Sequence, residues 1–152
     1  MKLAEALQER ADINARLDQL RERMAQNALV QEGERPAEEP AELMREFDEC
    51  VSRLEVLMNR INLTNCATIV DGKTLTGHIA HRDCLKVRIN AYRRMLNEAS
   101  QPARRAMRSE IKILSTINVR ERQKQIDDLS KELRVTDNLI QQANWTTDLM
   151  EE

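Results

Sequence analysis

Residues 3–27, LAEALQERADINARLDQLRERMAQN, decide the fold. Apolar side chains recur in this stretch at alternating intervals of three and four residues. Because an α-helix completes a turn in about 3.6 residues, that spacing aligns one apolar seam along a single helix face. The seam consists of Leu3, Ala6, Ile13, Leu17, Leu20 and Met24, with Arg10 and Asn27 at the two remaining positions. The sequence therefore predicts an amphipathic helix over about 2–27.

The same spacing returns three times after Gly33, Pro36 and Pro40 interrupt the first pattern. The later seams are Leu43, Phe47, Cys50, Leu54, Leu57 and Ile61; Leu75, Arg82, Leu85, Ile89, Tyr92, Leu96 and Ala99; and Val119, Ile126, Leu129, Leu133, Thr136, Ile140 and Ala143. They predict helices over about 40–65, 75–99 and 118–143. We expect an all-α fold, either an antiparallel four-helix bundle or paired long helical hairpins, in one domain spanning 1–152.

A minor β element completes the predicted fold. Residues 110–116 are rich in β-branched side chains that partly alternate, which is typical of a short strand. Residues 28–31 are the candidate partner strand. The dipeptide Asp71-Gly72 marks a tight turn before the third helix.

Composition limits the classes to which the chain can belong. Its 152 residues include only three Gly and three Pro, and 24 basic side chains nearly balance 26 acidic ones. This excludes a collagen and a low-complexity chain and disfavours disorder. Cys50, Cys66 and Cys84 are odd in number and lack a C-x-x-C spacing, which is typical of reduced thiols. Without an apolar signal segment or a long apolar run, we expect a cytoplasmic protein.

The charge is unevenly distributed along the chain. Residues 32–49 carry eight acids and two arginines, whereas residues 82–112 carry nine bases and three acids. Segments of opposite charge attract each other, so we expect these two to meet, within one subunit or between subunits. The seams are as narrow as those of a coiled coil and bury limited area, so self-association into a homo-oligomer is also predicted.

The basic stretch and one aromatic residue are the candidate interaction residues. The basic residues are Arg88, Arg93, Arg94, Arg104, Arg105, Arg108 and Lys112. They suit salt bridges to the acidic segment, or the phosphate backbone of a nucleic acid. Trp145 is predicted to pin the C-terminal tail by packing, on its own chain or on a neighbouring subunit. Asn/Thr clusters at 62–68 and 144–147 suit helix capping, or a small-ligand pocket walled by Trp145.

Metal and catalytic chemistry have little support in the sequence. His78 and His81 lie three residues apart and could share an ion with Cys84 or Cys66, but two ligands without a clear third predict no metal site. Arg10, Arg82 and Arg122 occupy seam positions, where they must reach solvent or meet carboxylates, and they suit helix register or an anionic ligand. No phosphate loop, nucleophile elbow or H-E-x-x-H motif is present, so neither an enzyme nor a cofactor is predicted.

Four segments carry a resemblance to a known family: NALVQEGE at 27–34, INLTN at 61–65, RSEIK at 108–112 with Ser115-Thr116, and QANWTT at 142–147. The chain resembles a family of small, mostly uncharacterised bacterial helical proteins, some of which carry the name septicolysin. That name implies a cytolytic toxin, and the family offers no residue-level chemistry to transfer.

Three functions follow as hypotheses. The first is a non-enzymatic, self-associating helical module with a structural or interaction role. The second is a nucleic-acid-associated protein that uses the basic residues at 88–112. The third is the cytolysin that the family name implies.

Overall fold

The structure, a computed structural model, describes residues 1–101 and 111–151. Its elements are α1 (Leu3–Gln26), α2 (Pro40–Ala67), β1 (Ile69–Val70), β2 (Lys73–Thr74), α3 (Leu75–Ala99) and, as α4, Val119–Thr146. The predicted helical fold with a minor two-stranded β element is confirmed.

Backbone contacts divide the chain into two compact units. The first unit comprises Met1–Thr74 and Ala143–Glu152, and the second comprises Leu75–Gln142. The prediction that the whole chain is a single domain stays a prediction.

Helices α1 and α2 pack against each other in the first unit. Their buried apolar side chains belong to the predicted seams: Leu3, Ala6, Leu17 and Leu20 on α1, and Leu43, Leu57 and Ile61 on α2. Other seam members, including Ile13 and Leu54, are only half-buried. The seams therefore form a narrow apolar contact rather than a broad core.

Three ion pairs run along one edge of α1, two of them to α2 and the third to Glu38, just before α2 begins. Glu9 accepts two hydrogen bonds from Arg53, at 2.6 and 2.9 Å. Arg16 pairs with Glu46, and Arg23 donates from Nε to Glu38 Oε2 at 2.9 Å. Along α1 these residues rise in steps of seven, while their partners fall from 53 to 46 to 38. The two helices are therefore antiparallel and in a fixed register.

Asn27 ends α1 and holds the connection to α2. Its side chain is buried, with 8% of its surface exposed. The amide nitrogen donates to the Arg23 carbonyl at 2.8 Å, and the amide oxygen accepts from the Glu38 N–H at 2.9 Å. Both the nitrogen and the oxygen of the Asn27 side-chain amide therefore form hydrogen bonds where α1 connects to α2.

The β element lies elsewhere than predicted. Strands β1 and β2 form an antiparallel hairpin that pairs Ile69 with Thr74 and Val70 with Lys73. Asp71 and Gly72 at its turn have φ of 47° and 78°, as a two-residue hairpin turn of type I′ requires. Residues 28–31 and 111–116 are irregular, so the predicted strand positions are wrong, and residue 110 lies outside the described residues. Their β-branched composition reflects local propensity, which does not supply a partner strand.

In the second unit, α3 packs against α4. Ile89 and Leu96 of α3 are buried with Ile126 of α4, and Ile117, Val119, Leu129 and Leu133 pack around them. Asn118 caps α4, because its side-chain oxygen accepts a hydrogen bond from the Glu121 N–H at 3.1 Å. Each unit is thus built on one pair of helices with a narrow apolar contact.

Replacing Asn27 should destabilise the first unit. In Asn27→Ala both side-chain hydrogen bonds are lost, and we expect the free energy of unfolding to fall by about 1–3 kcal/mol. Asn14→Ala is the matched control, since Asn14 is exposed on the same helix and alanine is the better helix former. Urea unfolding followed by circular dichroism gives both values. Equal stability of the two variants would contradict the assigned role.

The Glu9–Arg53 pair should contribute stability only above acidic pH. The Arg53 guanidinium, chiefly through its hydrogen bonds, lowers the pKa of Glu9 below its ordinary value of 4.5. The contribution is present at pH above the unfolded-state value and is lost as pH falls through the lower folded-state pKa. Because the pair is largely solvent-exposed, its contribution at neutral pH is at most about 1 kcal/mol.

Unfolding of Glu9→Gln and the wild type at neutral and strongly acidic pH tests this. We expect the variant to be less stable at neutral pH and equal to the wild type in acid. Glu49→Gln is the control, because no ion pair to Glu49 is present within the described residues. A stability difference that is the same at both pH values would refute the assignment.

Candidate interaction surfaces

Three exposed apolar side chains align on the outer surface of α2. Met44, Val51 and Met58 are 54%, 40% and 47% exposed, and they follow one another at seven-residue intervals. Two helical turns take about seven residues, so the three side chains lie on one helix face and span about 21 Å. We call these three residues the α2 stripe. Scattered apolar residues are ordinary on a protein surface, but an aligned set is typical of a contact face.

The two edges of the α2 stripe differ. On the edge toward α1 lie Phe47 and Leu54, both half-buried. The Arg21 guanidinium lies 5.9 Å from the centre of the Phe47 ring, in a cation–π contact. Asp48 and Glu55, both exposed, lie on the opposite edge. Neither carboxylate has an ion-pair partner among residues 1–101 and 111–151. The stripe is therefore apolar along its centre and acidic along its outer edge.

Helix α3 has an exposed apolar set of its own. Val87, Ala91 and Met95 are exposed at four-residue intervals, on the side of the helix away from the buried Leu85 and Ile89. We call these three residues the α3 stripe. A groove of about 660 Å³ runs beside it and is lined by Ala91, Arg94, Met95, Ile113, Leu114 and Ile117, among others. Its lining is mostly apolar.

Arginines border the α3 stripe on both edges. Arg88 lies on one edge and Arg94 on the other, because they are displaced in opposite directions around the helix from Ala91. Both are exposed, and no ion pair to either is present in the part of the chain that the structure describes.

The other predicted basic residues are distributed differently. Arg93 is exposed and donates to the Ser130 hydroxyl at 3.3 Å, and Lys112 is exposed in the irregular segment. Arg104, Arg105 and Arg108 lie outside the described residues. Within the acidic segment, Glu38 and Glu46 have their partners on α1, as described above, and not in the basic stretch. That the two charged segments meet, within one subunit or between subunits, stays a prediction.

The chain termini meet beside the end of α2. The Leu3 N–H donates to the Thr147 carbonyl, and the Leu149 N–H donates to the Met1 carbonyl, both at 2.9 Å. Lys2 Nζ lies 2.8 Å from Asp148 Oδ1 and lowers the pKa of that carboxyl, chiefly by this hydrogen bond. Backbone pairing and one ion pair thus fix the tail against the start of α1.

Thr64, in the first polar Asn/Thr cluster, joins the end of α2 to the C-terminal tail. Its buried hydroxyl donates to the Arg60 carbonyl at 2.7 Å and accepts from the Met150 N–H at 3.0 Å. Trp145, predicted to pin the tail by packing on its own chain, is 64% exposed, so contacts among the described residues cover the smaller part of its surface. The alternative, that Trp145 packs on a neighbouring subunit, stays a prediction.

The histidines lie apart from any metal-binding cluster in the described residues. His81 Nε2 is 2.8 Å from Glu132 Oε1 of α4, while His78 is half-buried. Among residues 1–101 and 111–151, no three His, Cys, Asp or Glu side chains are grouped as a metal site requires. Cys50, Cys66 and Cys84 form no disulfide in the part of the chain that the structure describes.

The three arginines at seam positions differ in their surroundings. Arg82 is partly buried, 2.9 Å from Asp83 and 3.8 Å from Asp137 of α4. Arg122 is exposed and donates to the Gln125 side chain at 2.8 Å. Arg10 is half-buried. Arg82 therefore meets carboxylates, and Arg122 reaches solvent.

Removing the Thr64 hydroxyl should loosen the tail at Met150. Thr64→Val keeps the side-chain volume but cannot accept from the Met150 N–H, so we expect that amide to exchange with solvent about five- to tenfold faster. Thr64→Ser retains the acceptor and should protect the amide as the wild type does. Hydrogen exchange followed by NMR measures both. Unchanged protection of Met150 in Thr64→Val would contradict the role of this hydrogen bond.

Within the described residues, no helix is both long and apolar enough to cross a bilayer.

Comparisons with known proteins place the chain in a family. A crystal structure titled as that of a functionally unknown conserved protein from Corynebacterium diphtheriae is 38% identical, with a TM-score of 0.94, and the match covers 99% of each chain. The comparison with curated proteins gave no match. The predicted resemblance to a family of uncharacterised bacterial proteins is confirmed. Neither this crystal structure nor the family profile that matches the chain carries the name septicolysin. Residues 10–149 match the profile of DUF6847, and the chain belongs to this family of unknown function.

Proposed function

We propose that this protein is a non-enzymatic helical module that works by binding a second copy of itself through the α2 stripe. The observation that carries the proposal is the alignment of Met44, Val51 and Met58, all exposed, at seven-residue intervals. A seven-residue apolar repeat is the pattern by which one helix packs along another, as in coiled coils. On α2 this repeat is present a second time, outside the seam that packs on α1.

The small size of the buried core supports the proposal. Among the described residues, fourteen apolar side chains are buried, while eighteen large apolar side chains are exposed. A buried Leu or Ile contributes about 1.5–3 kcal/mol, against an entropy cost of about 1–2 kcal/mol for each ordered backbone residue. Covering the α2 stripe on association would add apolar burial that a single chain lacks.

A substitution in the α2 stripe tests the proposal. Val51→Lys places a charge at the centre of the stripe, and we expect self-association to weaken at least tenfold because the ammonium would be desolvated. Val56→Lys is the matched control: the same change on the same helix, at a residue 42% exposed but on a different face. Sedimentation velocity over a range of concentrations gives both dissociation constants, with circular dichroism to verify folding.

Two results would contradict the proposal. One is a wild-type chain that sediments as a single chain even at near-millimolar concentration. The other is equal weakening by Val51→Lys and Val56→Lys, since the contact would then not involve the α2 stripe.

A nucleic-acid-binding role is the second candidate, favoured by the exposure of Arg88 and Arg94 without ion-pair partners in the described residues. A salt titration of binding to mixed oligonucleotides tests it, because phosphate contacts give a steep salt dependence. Absence of binding at low salt would rule it out. The cytolysin hypothesis stays a prediction, which dye release from liposomes would test.

A further inference from the structure

We infer that the α2 stripe of one copy docks on the α3 stripe of the second copy. This inference rests on the proposed function and names the surface that receives the α2 stripe. In a symmetric dimer the contact would occur twice, α2 of each copy on α3 of the other. The occupant of the α3 stripe is thus a helix of the same protein, with an apolar centre and an acidic edge.

The α3 stripe matches two successive members of the α2 stripe in length, although the whole α2 stripe is longer, at about 21 Å. Val87 and Met95 are eight residues apart, so the α3 stripe extends about 12 Å along its helix. Two successive members of the α2 stripe, such as Val51 and Met58, span about 10.5 Å. Ala91 at the centre of the α3 stripe is small, and small residues let two helices approach closely.

The charges bordering the stripes decide between the possible pairings. Asp48 and Glu55 form the outer edge of the α2 stripe, whereas an arginine stands on each edge of the α3 stripe. In either helix direction, parallel or antiparallel, one arginine edge of α3 faces the acidic edge of α2. These charges are exposed and have no ion-pair partners among the described residues, so they are available to pair across an interface.

Pairing of like stripes is disfavoured by the same charges. Two α2 stripes packed antiparallel would bring Asp48 and Glu55 of both copies together, whereas in a parallel contact this acidic edge would face the Phe47 and Leu54 edge of the other copy. Two α3 stripes would bring Arg88 and Arg94 together in either direction. Like charges placed opposite each other at an interface oppose association. From the oppositely charged segments 32–49 and 82–112, the unlike pairing uses Asp48 of the first and Arg88 and Arg94 of the second.

A charge-swap experiment tests the inference. The α2 variant is Asp48→Lys with Glu55→Lys, and the α3 variant is Arg88→Glu with Arg94→Glu. Each alone should self-associate at least tenfold more weakly than the wild type, because its own α2 and α3 then carry like charge. Mixed in equal amounts they should associate about as tightly as the wild type, since both contacts regain opposite charges. Lys86→Glu with Lys131→Glu, at exposed lysines outside the α3 stripe, is the control and should leave association unchanged.

The outcomes separate the inference from the proposed function. If the wild type associates and Val51→Lys does not, but the α3 variant associates as the wild type does, docking on α3 is refuted while self-association through α2 stands. If both variants fail to associate and their mixture does not recover, the pairing of α2 with α3 is also refuted. A wild type that stays a single chain overturns both.

Discussion

The antiparallel contact of α1 with α2 is the constraint on which the first unit depends. Leu17, Leu20 and Leu57 are buried along it, and a buried Leu contributes about 1.5–3 kcal/mol. An exposed ion pair such as Glu9–Arg53 contributes about 0.2–1 kcal/mol. Apolar burial therefore supplies the stability, while the ion pairs select direction and register. Because this contact uses only one narrow face of α2, it leaves the α2 stripe exposed.

Much of the fold could be predicted from spacing alone. The α1 seam predicted a helix because Leu3, Leu17 and Leu20 share one face, and the structure buries all three. The β hairpin could not be located in this way, since strands of two residues are too short to show an alternating pattern. Asp71-Gly72 did signal its turn. Residues 111–116 have strand-like composition without a partner strand, and pairing is a tertiary property that composition does not encode.

The candidate surfaces were predictable only in part. Arg88 and Arg94 stood out by charge, and the structure leaves both exposed. The α2 stripe was missed, although its seven-residue interval is visible in the sequence, because the stronger seam beside it accounted for the helix. The sequence also carried a signal of the ion pairs between α1 and α2, because Glu9 and Arg16 lie seven residues apart and therefore share a helix face. The exposure of Trp145 could not be predicted, because an aromatic residue is as often an anchor in the core as a contact at an interface.

The central claim is that the α2 stripe is covered when copies of the chain associate. Hydroxyl-radical oxidation of Met44 and Met58, measured by mass spectrometry at micromolar and near-millimolar protein concentration, tests it most directly, because sulfoxide formation follows exposure. The account predicts that both methionines are oxidised several-fold more slowly at the higher concentration, while Met150 at the chain terminus is unaffected. Equal oxidation of Met44 and Met58 at both concentrations would contradict it.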